Sequence, residues 1–153
     1  MTYYTKVLQP HETVRFVGSL HWTIYRNAIL LGVLAIAVAV GSQFAPPNLQ
    51  FMTLCGAGLV ALWGLAAFLT AWFVRVTTEI VVTDLRIIHK RGWIARHTEE
   101  MNISKVETVD VYQGLWGRIF DFGTVLIRGI GGSWEPLSHV GAPLQLRNAI
   151  VVG

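Results

Sequence analysis

The alternation of apolar and polar residues divides the chain into three parts. Residues 1–26 are mixed, residues 27–74 contain no Asp, Glu, Lys or Arg, and residues 75–153 alternate apolar with polar positions. A helix needs about 20 apolar residues to cross a hydrocarbon core of about 30 Å. The charge-free part therefore predicts two membrane-spanning helices, at about residues 27–45 and 49–74.

A short interruption separates the two predicted spans. Residues 46–48 read Pro-Pro-Asn, and proline breaks a helix because it lacks an N–H and restricts the residue before it. The spans are therefore expected to form a transmembrane hairpin with both ends on one side. The loop carries no cation. Basic residues flank the outer ends: Arg15, Arg26, Arg75, Arg86, Lys90 and Arg91. Since cationic segments stay cytoplasmic, we expect a multi-pass protein with both termini in the cytoplasm, and residues 1–26 as a juxtamembrane segment.

Side chains at the outer ends and within the spans carry two further hypotheses. His21, Trp22 and Trp72 stand where interfacial anchors are expected, although His21 and Trp22 also fit contact with a headgroup or a partner. Small residues such as Gly56 and Gly58 allow close helix packing, either within the hairpin or against a membrane-protein partner or second copy. Neither span holds an ionisable residue, which argues against a transport path through the hairpin alone.

The C-terminal part has the period-two pattern and β-branched residues of strands. Strands are predicted at 76–82, 85–90, 93–100, 106–112, 124–128 and 134–139, and a helix begins at Pro143. Val125 and Ile127 are expected to face inward. The predicted fold class is an α+β membrane protein, in which the two-helix hairpin precedes a small antiparallel sheet over residues 75–153, capped by a C-terminal helix.

Composition excludes several classes of protein. Charged residues make up 14% of the chain, whereas soluble domains average about 25%. The charge-free run of 48 residues, 27–74, excludes both an ordinary soluble domain and a disordered chain. The net charge of +3 is small and flanks apolar segments, so it gives no argument for nucleic acid as a partner. Cys55 is the single cysteine, so no disulfide forms within one chain.

Several short motifs occur in a fixed order along the chain. They are Pro10-x-Glu12, His21-Trp22, Thr83-Asp84-x-Arg86, Gly92, Arg96-x-Thr98-Glu99, Ile103-x-Lys105-Val106, Gln113-x-x-Trp116-Gly117-Arg118 and Phe122-Gly123-Thr124-Val125. In this order, and with the hairpin, the chain resembles the bacterial pleckstrin-homology (PH) domain membrane proteins of the YdbS-like type. The resemblance implies a PH-like split β-barrel with a C-terminal helix, held at the cytoplasmic face of the bacterial inner membrane, without enzymatic activity.

A basic turn close to the second span is the candidate lipid contact. Residues 75–96 carry five basic and two acidic groups, and Lys90, Arg91, Trp93 and Arg96 combine cations with an aromatic ring. Anionic lipid attracts each such cation by about 1 kcal/mol. The alternatives are an ordinary solvated hairpin and, in the manner of eukaryotic PH domains, a specific headgroup site.

The sequence contains no pattern typical of a metal, cofactor, phosphate or catalytic site. The histidines lack metal-ligand spacing, and Cys55 lies inside the second span, so neither a metal nor another cofactor is expected. The glycines at 129–132 favour a turn over a phosphate loop. Glu99 and Glu100 are adjacent on a strand and face opposite ways. No catalytic constellation is present.

An aromatic-rich cluster follows residue 112. Its members are Leu115, Trp116, Ile119, Phe120 and Phe122. We interpret the cluster as filling the core or the mouth of the barrel, and an exposed subset would instead form a docking patch.

These observations favour a non-enzymatic, membrane-anchored PH-like scaffold or interaction module, with the lipid bilayer and a membrane-protein partner or second copy as its partners. The alternative is an accessory subunit of a membrane transport or export complex. An enzyme accessory role is the least supported.

Overall fold

The computed structural model consists of two compact units. It describes residues 8–9, 11–92, 97–130, 132–133 and 136–151. The hairpin unit is Trp22–Phe73, and the sheet unit combines Met1–His21 with Val74–Gly153. Within the predicted juxtamembrane segment 1–26, the described residues up to His21 belong to the same unit as the C-terminal part of the chain.

Two long apolar helices form the hairpin unit. Helix α1 (Arg26–Gly41) lies between two 3-10 turns, Trp22–Tyr25 and Ser42–Phe44, and helix α2 is Pro47–Thr77. The predicted break at 46–48 is shorter than expected because Pro47 already begins α2. Proline fits a first helical turn, where its missing N–H would have had no partner.

The C-terminal end of α2 also differs from the prediction. The helix continues through Thr77, whereas the sequence pattern placed the start of a strand at Val76. Each added residue extends the helix by one backbone hydrogen bond, and Arg75 in the last turn interacts favourably with the helix dipole. The following strand therefore begins only at Glu79.

Small residues bring the two helices of the hairpin together. A Cβ on Gly64 would lie 3.2 Å from the Leu31 Cβ, and Ala28, Ala35 and Ala57 are buried. The Tyr25 and Phe68 rings stack with centroids 5.2 Å apart. Large apolar side chains point outward, including Ile36 and Trp63. By length and composition, Trp22–Phe44 and Pro47–Thr77 are each able to cross a membrane.

Two antiparallel sheets form the sheet unit. The first has the order β1 (Val14–Gly18), β2 (Glu79–Thr83), β3 (Arg86–Arg91) and β4 (His97–Asn102). In the second, β6 (Phe122–Gly129) pairs with β5 (Val106–Tyr112), β7 (Gly132–Ser133) and β8 (Leu137–Gly141). Helix α3 (Leu115–Ile119) connects β5 to β6, a 3-10 turn (Ile103–Lys105) precedes β5, and helix α4 (Pro143–Val151) ends the described chain. Residues 93–96 and 134–135 of the predicted strands lie outside the described residues.

Strand β1 joins the N-terminal segment to both sheets. Val17 pairs with Val81 and Gly18 with Ile80, across the whole hairpin in sequence. Just beyond β1, Leu20 forms a bridge with Val140 in β8. The segment from 14 to 20 therefore connects the first sheet to the second.

The core lies between the two sheets and α4. Val125 and Ile127 are fully buried, as the alternation in β6 predicted. Leu146 and Ile150 of the predicted C-terminal helix cover them together with the buried side chains of β2, β3 and β8. The α+β class, the antiparallel sheets and the final helix thus agree with the sequence pattern.

Candidate functional site

A buried carboxylate fastens the N-terminal segment to the turn between β2 and β3. The Glu12 side chain is fully buried, and its Oε2 lies 2.9 Å from Nη2 of Arg86. The Arg86 Nε donates to Oε1 of the same carboxylate at 3.0 Å, so the pairing is bidentate. The Thr83 hydroxyl and the Gln9 backbone N–H also donate to Glu12, both at 2.8 Å. We call this arrangement the Glu12–Arg86 clasp.

Backbone contacts extend the clasp along the turn. The Thr13 N–H donates to Oδ1 of Asp84, and the Asp84 N–H donates to the Thr13 carbonyl. The Thr83 hydroxyl oxygen also accepts from the Arg86 backbone N–H and lies 2.8 Å from the Arg86 carbonyl oxygen. The motifs Pro10-x-Glu12 and Thr83-Asp84-x-Arg86, which lie far apart in sequence, therefore form one structural site.

The clasp strongly favours the ionised carboxylate. Hydrogen bonds from Arg86, opposed by burial, lower the pKa of Glu12 from 4.5 to about 2. The same pairing raises the pKa of Arg86. Because the folded-state pKa of Glu12 is the lower one, its stabilisation of about 3 kcal/mol is present above pH 4.5 and disappears as the pH falls towards 2.

The clasp joins the N-terminal segment to the β2–β3 turn, and it does not form a binding site for an anion. Beside it, a cleft of about 320 Å³ is lined by Gln9, Leu85, Arg86, Glu100 and Asn102. Nη1 of Arg86 lies 2.8 Å from Oε2 of Glu100, so one guanidinium serves two carboxylates. The charge around the cleft is therefore not positive, and a phosphate or carboxylate ligand would be repelled.

Of the four residues predicted to contact lipid, Lys90 and Arg91 are among those that the structure describes. Lys90 is half-buried opposite Glu79 and Thr98, and Arg91 is exposed at the end of β3. Trp93 and Arg96 lie outside the described residues. The structure therefore locates Lys90 and Arg91 at the C-terminal end of β3, and the contact of the basic turn with lipid stays a prediction.

The three predicted anchors differ in their surroundings. The His21 ring stacks on Phe122 with centroids 5.2 Å apart, and the backbone N–H of His21 donates to the backbone carbonyl of His139 at 2.7 Å. Burial, assisted by the charge of Arg75, lowers the pKa of His21, which favours the neutral ring. Trp22 begins the first apolar segment and Trp72 lies near the end of α2, each about half exposed.

A tight loop around α3 contains the motif glycines. The Gln113 side-chain amide donates to the carbonyls of Gly117 and Phe122, at 3.2 and 3.3 Å. A Cβ on Gly117 would lie 2.6 Å from the Phe122 carbonyl oxygen, and one on Gly123 would lie 2.8 Å from that of Tyr112. Glycine is required at both positions because backbone atoms occupy the space of a side chain.

This loop exposes the aromatic-rich cluster. Leu115 is 79% exposed, Trp116 and Ile119 are each 68% exposed, and Phe120 is 44% exposed. The interpretation of the cluster as core is therefore wrong for these four residues, which we call the α3 patch. Only Phe122 is half-buried, under His21. The inward side of α3 is occupied by Gly117, which leaves the large side chains on the outer face.

The described part of the chain contains no cluster of metal ligands. There, no group of three or more His, Cys, Asp and Glu side chains is arranged to hold a metal ion. His89 lies 3.9 Å from Glu99, an ordinary cross-strand pair. Sequence reasoning missed the Glu12–Arg86 clasp, although both residues stood in the quoted motifs.

The two antiparallel sheets and the final helix are consistent with the result of comparison with known families. Neither curated proteins nor solved structures gave a significant match. The family model described as bacterial PH domain matches residues 27–150, which include most of the hairpin unit and most of the sheet unit. The chain therefore belongs to the bacterial PH domain family.

Proposed function

We propose that this protein is a membrane-anchored PH-like interaction module, of the YdbS-like type, at the cytoplasmic face of the bacterial inner membrane. The main support is that β1 and β2 are neighbours in one sheet although the apolar hairpin separates them in sequence. The Arg75 Nε also donates to the Leu20 carbonyl at 3.1 Å, which joins the chain before the hairpin to the chain after it. An inserted hairpin would thus hold the sheet unit by two connections.

The surface of the hairpin supports insertion into lipid. Its large side chains, such as Leu59 and Trp63, are about 70% exposed, whereas the core helix of a water-soluble protein would bury them. The Thr53 and Thr70 hydroxyls donate to backbone carbonyls one turn earlier, so they carry no free donor into hydrocarbon. A non-enzymatic role is supported by the family, since PH domains are typically interaction modules.

Cysteine labelling in intact cells tests the topology. In a Cys55→Ser background, Asn48→Cys at the tip of the hairpin should react with a membrane-impermeant maleimide added outside. Ser104→Cys, which is also exposed but lies in the sheet unit, should react only after the cells are opened. The reason is that the tip carries no cation whereas both outer ends do. Labelling of Ser104→Cys in intact cells would contradict the orientation.

The proposed contact of the basic turn with anionic lipid rests on the positive charge of the turn. In this proposal Lys90 and Arg91, with Trp93 and Arg96, orient the sheet unit on anionic lipid while the hairpin provides the anchorage. A few kcal/mol of surface charge is small beside the burial of two apolar helices, so the turn adjusts orientation and does not recruit the protein.

A subunit role in a larger membrane assembly is the second candidate, and one observation favours it. A shallow apolar groove on α2 is lined by Cys55, Gly58, Leu59, Ala61, Leu62 and Leu65. A Cβ on Gly58 or Gly56 would meet no atom within 4 Å, so these glycines are not needed for packing inside one hairpin. The groove therefore has room for a helix from a partner or a second copy.

Leucine substitutions distinguish glycines that allow association between hairpins from a glycine that allows packing within one hairpin. We expect Gly56→Leu with Gly58→Leu to lower self-association in lipid while leaving the hairpin folded, because both sites are open. Gly64→Leu should instead disrupt the hairpin, since its Cβ would already lie 3.2 Å from Leu31. Energy transfer between labelled copies at increasing dilution in vesicles measures the first effect, and thermal unfolding measures the second. Unchanged energy transfer in the double variant would exclude this face.

A further inference from the structure

The α3 patch has a fixed outward orientation. Leu115 and Ile119, and likewise Trp116 and Phe120, are four residues apart, so each pair lies on the same side of the helix. The Trp116 and Phe120 rings stack with centroids 6.0 Å apart. The Gln113 hydrogen bonds and the close approach of Gly117 to the Phe122 carbonyl hold the opposite side against β6. The loop therefore cannot turn these side chains inward without breaking its own contacts.

The base of this loop contacts the place where the chain leaves the sheet unit for the hairpin. His21, whose ring stacks on Phe122, immediately precedes the first apolar segment. Leu20, next to it, accepts the hydrogen bond from Arg75, the residue at which the chain has returned from the hairpin. The backbone carbonyl of Asp121, between the patch and Phe122, accepts from the Ala142 backbone N–H beside β8. The last residue of the patch, Phe120, thus lies two positions before Phe122, whose ring contacts the segment that leads into the hairpin.

We propose that the α3 patch inserts into the interfacial layer of the same bilayer that takes the hairpin, as a third attachment of the sheet unit. The inference rests on the proposed membrane anchoring. A bilayer is the occupant that fits, because the connections to the hairpin hold this end of the unit at the membrane surface. Aromatic and aliphatic side chains beside an exposed Arg118 are the composition of interfacial segments. A five-residue helix is too short to span, so the insertion is shallow.

Depth-dependent fluorescence quenching tests the proposal on the full chain. The protein, in a Cys55→Ser background, is reconstituted in phosphatidylcholine–phosphatidylglycerol vesicles with one bimane label at Ile119→Cys or, as a second reporter, Leu115→Cys. Both positions are exposed, so the label is expected to leave the fold intact, which thermal unfolding checks. The controls are Ile36→Cys on α1, which is exposed and lies outside the α2 groove, and Glu107→Cys on β5, which is exposed and about 17 Å along the strand from Tyr112.

We expect nitroxide-bearing lipids to quench the Ile119→Cys label several-fold more than the Glu107→Cys label, and aqueous iodide to show the reverse. This difference should persist in high salt and in a Lys90→Gln, Arg91→Gln variant, since the contact is apolar. Iodide quenching of Ile119→Cys equal to that of Glu107→Cys would overturn the inference. Protection from both quenchers would also overturn it, indicating a protein partner, or a second copy if dilution in lipid removes the protection. Absence of lipid quenching at Ile36→Cys would refute the membrane anchoring itself.

Discussion

Replacement of Arg86 by methionine should destabilise the sheet unit by about 3–5 kcal/mol. The substitution leaves the fully buried Glu12 carboxylate without the guanidinium that donates two hydrogen bonds to it. The carboxylate must then be protonated or remain uncompensated, and either outcome costs free energy. Unfolding of the purified full chain in detergent, followed by tryptophan fluorescence, measures the loss.

The second arm of Arg86 supplies the matched control. Glu100 also pairs with Arg86 at 2.8 Å, but its side chain is 38% exposed. Glu100→Gln is expected to cost less than about 1 kcal/mol, as exposed ion pairs do. Glu12→Gln combined with Arg86→Met should be less destabilising than the sum of the two single changes, because no buried charge is left alone. Equal effects of Arg86→Met and Glu100→Gln would show that the clasp does not stabilise the fold.

The hairpin was predictable from composition alone, since residues 27–74 contain no charged side chain. The ends of its helices were not, because they depend on local hydrogen bonding. Pro47 is a helix breaker in most positions but is accepted in a first turn, and Val76 is a good strand former that here continues a helix. Composition therefore locates such helices along the chain, whereas their first and last residues depend on the backbone hydrogen bonds formed at each end.

Strand β1 and the clasp required knowledge of topology. The segment 14–18 is only five residues long, and its partner β2 lies beyond the whole hairpin, so its alternation gives no sign of where it pairs. Glu12 and Arg86 are 74 positions apart, and nothing in either motif indicates that one residue contacts the other. Both features follow from a single fact, the insertion of the hairpin between β1 and β2.

The α3 patch shows where periodicity misleads. Large apolar residues at four-residue spacing normally indicate a helix that covers a core. In this loop the inward positions belong to glycine and to the Gln113 amide, so the apolar side chains are on the outside. The sequence pattern identified the cluster and left its exposure as an alternative. Which side of α3 faces outward is determined by the Gln113 amide and by the backbone close to Gly117.

Gly117→Ala therefore provides a test in which two physical effects have opposite signs. Helix propensity alone predicts that alanine stabilises α3 by up to about 1 kcal/mol relative to glycine. The added Cβ, however, would lie 2.6 Å from the Phe122 carbonyl oxygen, a backbone atom that cannot move away like the end of a flexible side chain. We expect the collision to dominate and to destabilise the sheet unit by roughly 2–4 kcal/mol.

Gly114→Ala is the matched control, because a Cβ there meets nothing within 4 Å and the backbone is extended, with φ −73°. It should change the unfolding free energy by less than about 0.5 kcal/mol. Thermal unfolding measures both variants, and trypsin cleavage at the exposed Arg118 reports whether α3 has lost its contacts. Faster cleavage in Gly117→Ala alone is expected, since moving the Phe122 carbonyl also disturbs its hydrogen bond from Gln113. A Gly117→Ala protein as stable as Gly114→Ala would mean that the loop does not hold α3 rigidly, and the fixed outward orientation of the patch would be lost with it.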